Sequence, residues 1–256
     1  MSVYTTEITS DQIPSDNPIH QRLLKAYYAA EPLVSGDLLE LGCGEGRGVS
    51  LLLNKVDSYL GLDKIEGVIE TLRGKFENAR FESGVFPPID LPDNSFDTVV
   101  SFQVIEHIQQ DELFLSEIHR ILKPGGKAIL STPNIKMTLS RNPWHIREYT
   151  ADQLATLAGK YFSSVDMKGI AGNEKVMEYH ERNRKSVQKI MKYDILDLQY
   201  RLPAALLRKP YEILNRRNRN KLKNQSDELV LSISHEDYFV REKSEQNLDL
   251  FVILSK

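Results

Sequence analysis

The sequence predicts an α/β fold, a mostly parallel sheet with helices on both faces. Two observations carry this. From about residue 37 to residue 170, short apolar runs alternate with amphipathic helical stretches, as strands linked by crossover helices do. A glycine-rich turn, Gly42-Cys43-Gly44-Glu45-Gly46, lies between a buried-strand pattern and a helix, where bare backbone and helix N-terminal N–H groups meet a ligand. At 256 residues the chain is long enough for one such domain with a substantial insertion, or for two small domains.

Residues 1–17 are polar and punctuated by proline, and read as an arm. They lack a basic region followed by an apolar core, so no signal peptide is expected. Ile19 to Val34 follows helical spacing, with Leu23, Leu24, Tyr27 and Tyr28 on one face. After Ser35-Gly36 the alternation begins. Leu38–Leu41 reads as a strand, Gly46–Asn54 as a helix, Tyr59–Leu62 as a strand, Glu66–Phe76 as a helix and Ala79–Glu82 as a short strand. The turn residues Pro92-Asp93-Asn94-Ser95 announce a strand at Phe96–Phe102. Asp111–Leu122 is an amphipathic helix ended by Lys123-Pro124-Gly125-Gly126, a cation followed by breakers. Lys127–Ser131 is the next strand. Thr150 and Gln153 have capping-box spacing and open a helix to about Ala158, before a strand at Phe162–Met167.

From Gly172 to about Asp227 strand patterns disappear. Val187, Ile190, Met191 and Leu198 mark one helix face, and Pro203 suits the first position of a second helix that Pro210 kinks or splits. Strand character returns at Leu229–Ile233 and Leu248–Leu254. The expected organisation is an N-terminal arm and helix over 1–35, a core over 36–171 and 228–256, and a helical basic insertion over 172–227.

The net charge of −3 gives no global bias toward nucleic acid or anionic lipid. One local stretch departs from it: residues 201–224 hold eight Lys or Arg against Glu212 alone, a surplus of +7. A solvated helix face, a site for an anionic substrate and a membrane-surface contact all fit this stretch, the last because Leu206, Leu207, Ile213 and Leu214 are interspersed with the cations. A single cysteine cannot form an internal disulfide and fits a reducing compartment. No apolar run approaches the ~20 residues that span a bilayer, so a soluble cytoplasmic protein is expected.

Two ligands compete for the glycine turn. A dinucleotide turn needs G-x-G-x-x-G, but its last position is Arg47. The glycines stand at 42, 44, 46 and 48, with Glu40 two residues ahead. This E-x-G-x-G-x-G form resembles the class I S-adenosylmethionine (SAM)-dependent methyltransferases. Two further segments resemble that family in order and spacing: Ser95–Phe102 its fourth strand, and Leu122–Lys127 its following helix–strand turn. The resemblance implies a Rossmann-like seven-stranded sheet with the last strand antiparallel, here Leu248–Leu254, and a helical lid inserted before that strand.

SAM is the cofactor so implied. Its methionine end would lie over Gly42, Cys43, Gly44 and Gly46, with Glu40 orienting the ammonium group. Asp63, with Lys64 beside it, ends the next strand, where an acid accepts both ribose hydroxyls; a helix N-cap is the alternative for Asp63. The acid that family members often carry for adenine is missing from Glu82-Ser83-Gly84-Val85-Phe86, so Ser83, Gly84 and Val85 are expected beside the base. Gln103, after the fourth strand, is expected at the methionine moiety.

A hydroxyl acceptor also needs a base or a metal, and His107 and His145 are the candidates. Glu106, His107 and His145 resemble a divalent-metal set of ubiquinone-pathway and small-RNA 2′-O-methyltransferases. Gln103 replaces its first acid, however, and a neutral amide weakens a site for a hard cation, so no metal is assigned. Pro143–Thr150 resembles methyltransferases of sugar, glycolipid and quinone pathways. The expected reaction is therefore O-methylation of a small-molecule or lipid-linked acceptor, without nucleic acid. A metal-assisted RNA 2′-O-methyltransferase and a SAM-binding regulator without turnover are the alternatives.

Overall fold

The computed structural model describes residues 13–194 and 196–256; most of the expected N-terminal arm, residues 1–12, lies outside them. Helix α1 (Asn17–Ala30) precedes the sheet. Then follow β1 (Asp37–Leu41), α2 (Val49–Leu52), β2 (Ser58–Asp63), α3 (Glu66–Lys75), β3 (Arg80–Ser83), β4 (Phe96–Phe102), α4 (Asp111–Ile121), β5 (Leu122–Pro133), α5 (Ala151–Ala158) and β6 (Ser164–Gly172). The helices α6 (Glu174–Met191), α7 (Leu198–Arg201), α8 (Ala204–Gln225) and α9 (Asp227–Ser232) come next, before β7 (Tyr238–Glu242) and β8 (Asp249–Ser255).

The strands form one sheet in the order β3-β2-β1-β4-β5-β8-β6-β7. The pairs among β1 to β5 are parallel, and β8 runs antiparallel between β5 and β6. The order reverses between β1 and β4, so the loops leaving the carboxyl ends of these two strands diverge and open a crevice there. Alternation along β1 divides the core. Leu38 packs on one face with Tyr27 of α1, Val49 of α2 and Ile69 of α3. Leu39 and Leu41 pack on the other with Phe114 of α4 and Leu157 of α5.

The expected boundaries shift in several places, β5 reaching from Leu122 to Pro133 rather than over Lys127–Ser131 and β6 lying at Ser164–Gly172 rather than Phe162–Met167. The sheet has eight strands rather than seven, because Tyr238–Glu242 pairs antiparallel with β6 at the edge. Leu229–Ile233, expected as a strand, falls mostly in α9, whose first turn carries Asp227 and Glu228; a short apolar run has no period that separates the two states. The carboxamide of Asn17 closes the end of this helix by donating to the carbonyls of Val230 and Ile233, both at 2.8 Å. The helix expected over Gly46–Asn54 is a single α turn, α2, running into a 3-10 turn at Leu53–Lys55. Leu198 opens a separate short helix instead of extending α6.

Pro203 sits at the N-cap of α8 and Pro210 lies inside that helix, which continues through it. The Thr150–Gln153 capping box forms in both directions, at 2.9 and 3.3 Å. Among the described residues no helix is long and apolar enough to cross a membrane.

Candidate functional site

After β1 the chain turns through Gly42, Gly44 and Gly46, all in the left-handed region at φ +80°, +49° and +75°. Two of these positions are also crowded. A Cβ on Gly42 would lie 2.4 Å from Val104 Cγ2, and one on Gly46 would lie 2.5 Å from Leu72 Cδ2. The N–H groups of Gly42 and Cys43 donate to the Leu62 carbonyl at 2.8 and 3.1 Å. The Gly44 N–H donates to Asp63 Oδ2 at 2.9 Å, so the turn rests on the end of β2. The other Asp63 oxygen accepts from the Ile65 N–H at 3.1 Å. The N-cap of α3 is Ile65 rather than Asp63, and Lys64 lies between them. The Cys43 thiol is buried, and desolvation holds its pKa far above the ordinary thiol value.

Glu40 is fully buried in β1, and both its oxygens are engaged. Tyr27 of α1 donates to Oε1 at 2.7 Å and Tyr59 of β2 donates to Oε2. Desolvation pushes the carboxyl up to about 7, against those two hydrogen bonds. The Tyr27 ring also covers the turn: a Cβ on Gly48 would lie 1.7 Å from its Cδ1. Helix α1 is thereby attached to both the acid and the last glycine of the motif.

At the end of β3 the Gly84 N–H donates to the Asp63 carbonyl at 2.9 Å, while the Val85 side chain is exposed. Phe86 turns back to stack on Phe114, with centroids 5.8 Å apart. The Glu66 side chain of α3 pairs with Arg73 at 3.1 Å, and the Ser83 side chain beside it holds the Glu66 carboxyl below its ordinary value. The structure thus brings the expected adenine segment beside Asp63, with no acid among Ser83, Gly84 and Val85.

A second group forms where β4 and β5 end. Gln103 follows β4 at φ +58°, an uncommon conformation for a residue with a side chain. Its N–H donates to the Ser131 carbonyl at 2.8 Å. Glu106 and His107 lie in the next 3-10 turn. The Glu106 carbonyl accepts from the N–H groups of Ile146 and Arg147 at 2.7 and 3.2 Å, which draws in the loop carrying His145. The two imidazoles meet edge to face with centroids 4.9 Å apart. One ligand atom each from Glu106, His107 and His145 lies within 4.8 Å of the others.

His107 Nδ1 is 2.9 Å from the Trp144 carbonyl. That carbonyl only accepts, so Nδ1 carries the proton and Nε2 is the basic nitrogen of the neutral ring. His145 is held at both nitrogens, Nδ1 by Glu148 at 2.6 Å and Nε2 by Asn142 at 2.7 Å. Glu106 is fully buried and accepts from Thr132 Oγ1 at 2.9 Å; desolvation pushes its carboxyl up to about 7.

These side chains line a cavity of about 240 Å³. Gln103, Glu106 and His107 line it, as do Arg22 of α1, Tyr179 and His180 of α6, and Tyr211 and Arg219 of α8. Gln103 is the member of the expected cofactor set that reaches it; the glycine turn does not line it. Several of its residues carried no signal in the sequence. Arg22 Nε stands 3.2 Å from Asp249, whose carboxylate is 1% exposed, at an angle too poor for a hydrogen bond. Arg216 and Arg219 converge on Asp16 at 2.7 and 3.0 Å. A lone acid within the apolar run Leu248-Asp249-Leu250-Phe251 is the one mark that could have singled out Asp249.

Residues 39–130 match the family model described as a methyltransferase domain. The chain is 32% identical over 193 residues to a probable S-adenosylmethionine-dependent methyltransferase of Mycobacterium tuberculosis, covering 72% of this chain and 69% of that one. A Mycolicibacterium smegmatis protein of the same description is 38% identical over 145 residues, and the match spans 54% of each chain, about half the relative's length. Among solved structures, a SAM-dependent methyltransferase from Thermotoga maritima superposes with a TM-score of 0.60 at 17% identity, covering 93% of this chain and 91% of its own. That likeness shows the fold, and the sequence relatives carry the rest. The chain belongs to the class I SAM-dependent methyltransferases.

Proposed function

We propose that the protein transfers the methyl group of SAM to a hydroxyl oxygen of a small or lipid-linked acceptor held in the cavity under α1, α6 and α8. The observation that carries this is that Gln103, Glu106, His107 and His145 all line that cavity, beside the crevice where open α/β sheets bind ligands. The methionine end of SAM would be held over Gly42, Gly44 and Gly46, and Asp63, whose two oxygens keep further lone pairs, would accept the ribose hydroxyls. Cys43 contributes backbone, and Ser83, Gly84 and Val85 flank the adenine. Glu40 acts on the ammonium group through the packing of Tyr27 and the turn, since its own oxygens already accept from two tyrosines.

Transfer is an in-line displacement. The acceptor oxygen forms a bond to the methyl carbon, the carbon–sulfur bond breaks, and the sulfonium charge is discharged. Positioning on that axis supplies most of the rate. The hydroxyl proton goes to the His107 imidazole, which the Trp144 carbonyl orients through Nδ1. His145, committed at both ring nitrogens, orients the loop and shields the corner. A labelled-methyl assay over sugar, phenol and quinone-type hydroxyl acceptors tests this. His107→Ala is expected to lower kcat by about 10²–10⁴-fold with SAM binding unchanged. Equal turnover by the variant would remove the histidine from the reaction.

A second reading rests on the spacing of Glu106, His107 and His145. The donor types suit a divalent ion, and one bound there would act as a Lewis acid toward the acceptor oxygen. Coordination would require His145 to release Glu148 or Asn142 from one of its ring nitrogens, and Gln103 still stands where a fourth, anionic ligand would help. Loss of turnover in EDTA, restored by a divalent cation and obtained only with RNA acceptors, would establish a metal-assisted RNA methyltransferase instead.

A further inference from the structure

The two faces of α8 differ. Tyr211, Asn215 and Arg219, at fourfold spacing, line the cavity, while Asn218 and Leu222 are buried alongside. The opposite face carries Leu206, Lys209, Ile213, Arg217 and Lys221, all exposed, at the spacing of one helical stripe. The stretch from residue 193 through α8 concentrates apolar exposure. Of the fourteen large hydrophobic side chains exposed among the described residues, seven lie within 193–214, from Leu198 at 42% to Tyr193 at 88%. A solvated helix face has no use for such a cluster.

The charge is arranged to match. Arg216 and Arg219 are consumed by Asp16, Lys223 pairs with Asp227, and Arg208 lies over the Trp144 ring at 4.1 Å. Arg201, Lys209, Arg217 and Lys221 are exposed and have no acidic partner among the described residues. The stretch 201–224 carries +7 within a total of −3, so the remainder of the chain carries −10. An anionic surface therefore attracts this side and repels the others. Cations interleaved with Leu206 and Ile213 on one helix stripe suit a phospholipid headgroup layer, where the apolar groups enter the acyl boundary and the cations meet phosphates.

We propose that the outer face of α8 docks on an anionic lipid bilayer. The cavity behind the same helix then opens next to that surface, and its acceptor is a lipid-linked molecule drawn from it; this second clause rests on the function proposed above, whereas the docking does not. Co-sedimentation with phosphatidylcholine vesicles, with and without phosphatidylglycerol, tests the docking directly. Binding is expected only with phosphatidylglycerol and is expected to weaken with salt. Lys209→Gln with Arg217→Gln should lower the partition by about 30-fold, and Leu206→Ser with Ile213→Ser should abolish it. SAM binding in solution and the unfolding midpoint stay unchanged in both variants. No sedimentation of the wild type at low salt, or sedimentation indifferent to both variants, overturns the docking. So does a concentration-dependent dimer that Leu206→Ser with Ile213→Ser dissolves, because the patch would then belong to a second copy. Failure of the wild type to bind SAM would count against the methyl-transfer reading and leave the docking result standing.

Discussion

Gly48 touches the Tyr27 ring so closely that its hydrogen is a requirement of packing. Gly48→Ala would place a Cβ 1.7 Å from Tyr27 Cδ1, forcing α1 away from the glycine turn. Overpacking of this kind costs about 1–3 kcal/mol, which lowers Tm by roughly 2–10 °C in a chain of this size; an unchanged Tm would show that α1 is not fixed there. Two buried carboxyls set a pH dependence. Burial raises Glu40 and Glu106 from 4.5 to about 7. The folded protein then keeps protons that the unfolded chain releases, so their contribution is fully present below about 4.5 and lost as pH rises through about 7. Glu106→Gln does not titrate, so its Tm should rise relative to wild type between about pH 5 and about pH 8. A difference that stays constant over that range would place the carboxyl in a wetter site. Glu40 was legible as a residue of interest from its spacing to Gly42. That its oxygens belong to Tyr27 and Tyr59 was not, because Tyr27 lies in another element with no periodic relation to it.

At the level of elements, the cover is attached by a few buried contacts. Asp16 is 0% exposed and is shared by Arg216 and Arg219 across two hundred residues of chain. Asp16→Asn leaves two guanidiniums without their acid, and breaking a buried pair costs about 3–5 kcal/mol. Faster hydrogen exchange in α8 with unchanged protection in β1 and β4 is expected; uniform loss of protection would mean that the cover and the sheet unfold as one unit. The parallel strands and their helices were legible because each repeats a period, 2 or 3.6, bounded by glycine or proline. Leu229–Ile233 was not, since four or five apolar residues fit either period and the Ser226-Asp227-Glu228 start decided for a helix. The edge strand Tyr238–Glu242 escaped for a similar reason. Its half-exposed side chains lack the apolar run that marked the interior strands, and its pairing with β6 is a tertiary choice.

For the whole molecule, the sheet reversal between β1 and β4 brings the glycine turn and the Gln103–His107 segment to one edge. Both segments could be read in the sequence because each carries a dense local pattern. The cavity could not, because it is assembled from α1, α6 and α8, which share no motif and meet only when folded. The turn at Gly42–Gly46, seated on Asp63, is where SAM is proposed to bind. Calorimetric titration of the intact chain with SAM, in the wild type and in Asp63→Ala, tests it most directly. One saturable site is expected, weakened by roughly 10- to 100-fold when the two ribose hydrogen bonds are lost, with no competition from NAD. Equal affinity in Asp63→Ala, or displacement of SAM by NAD, would contradict the placement.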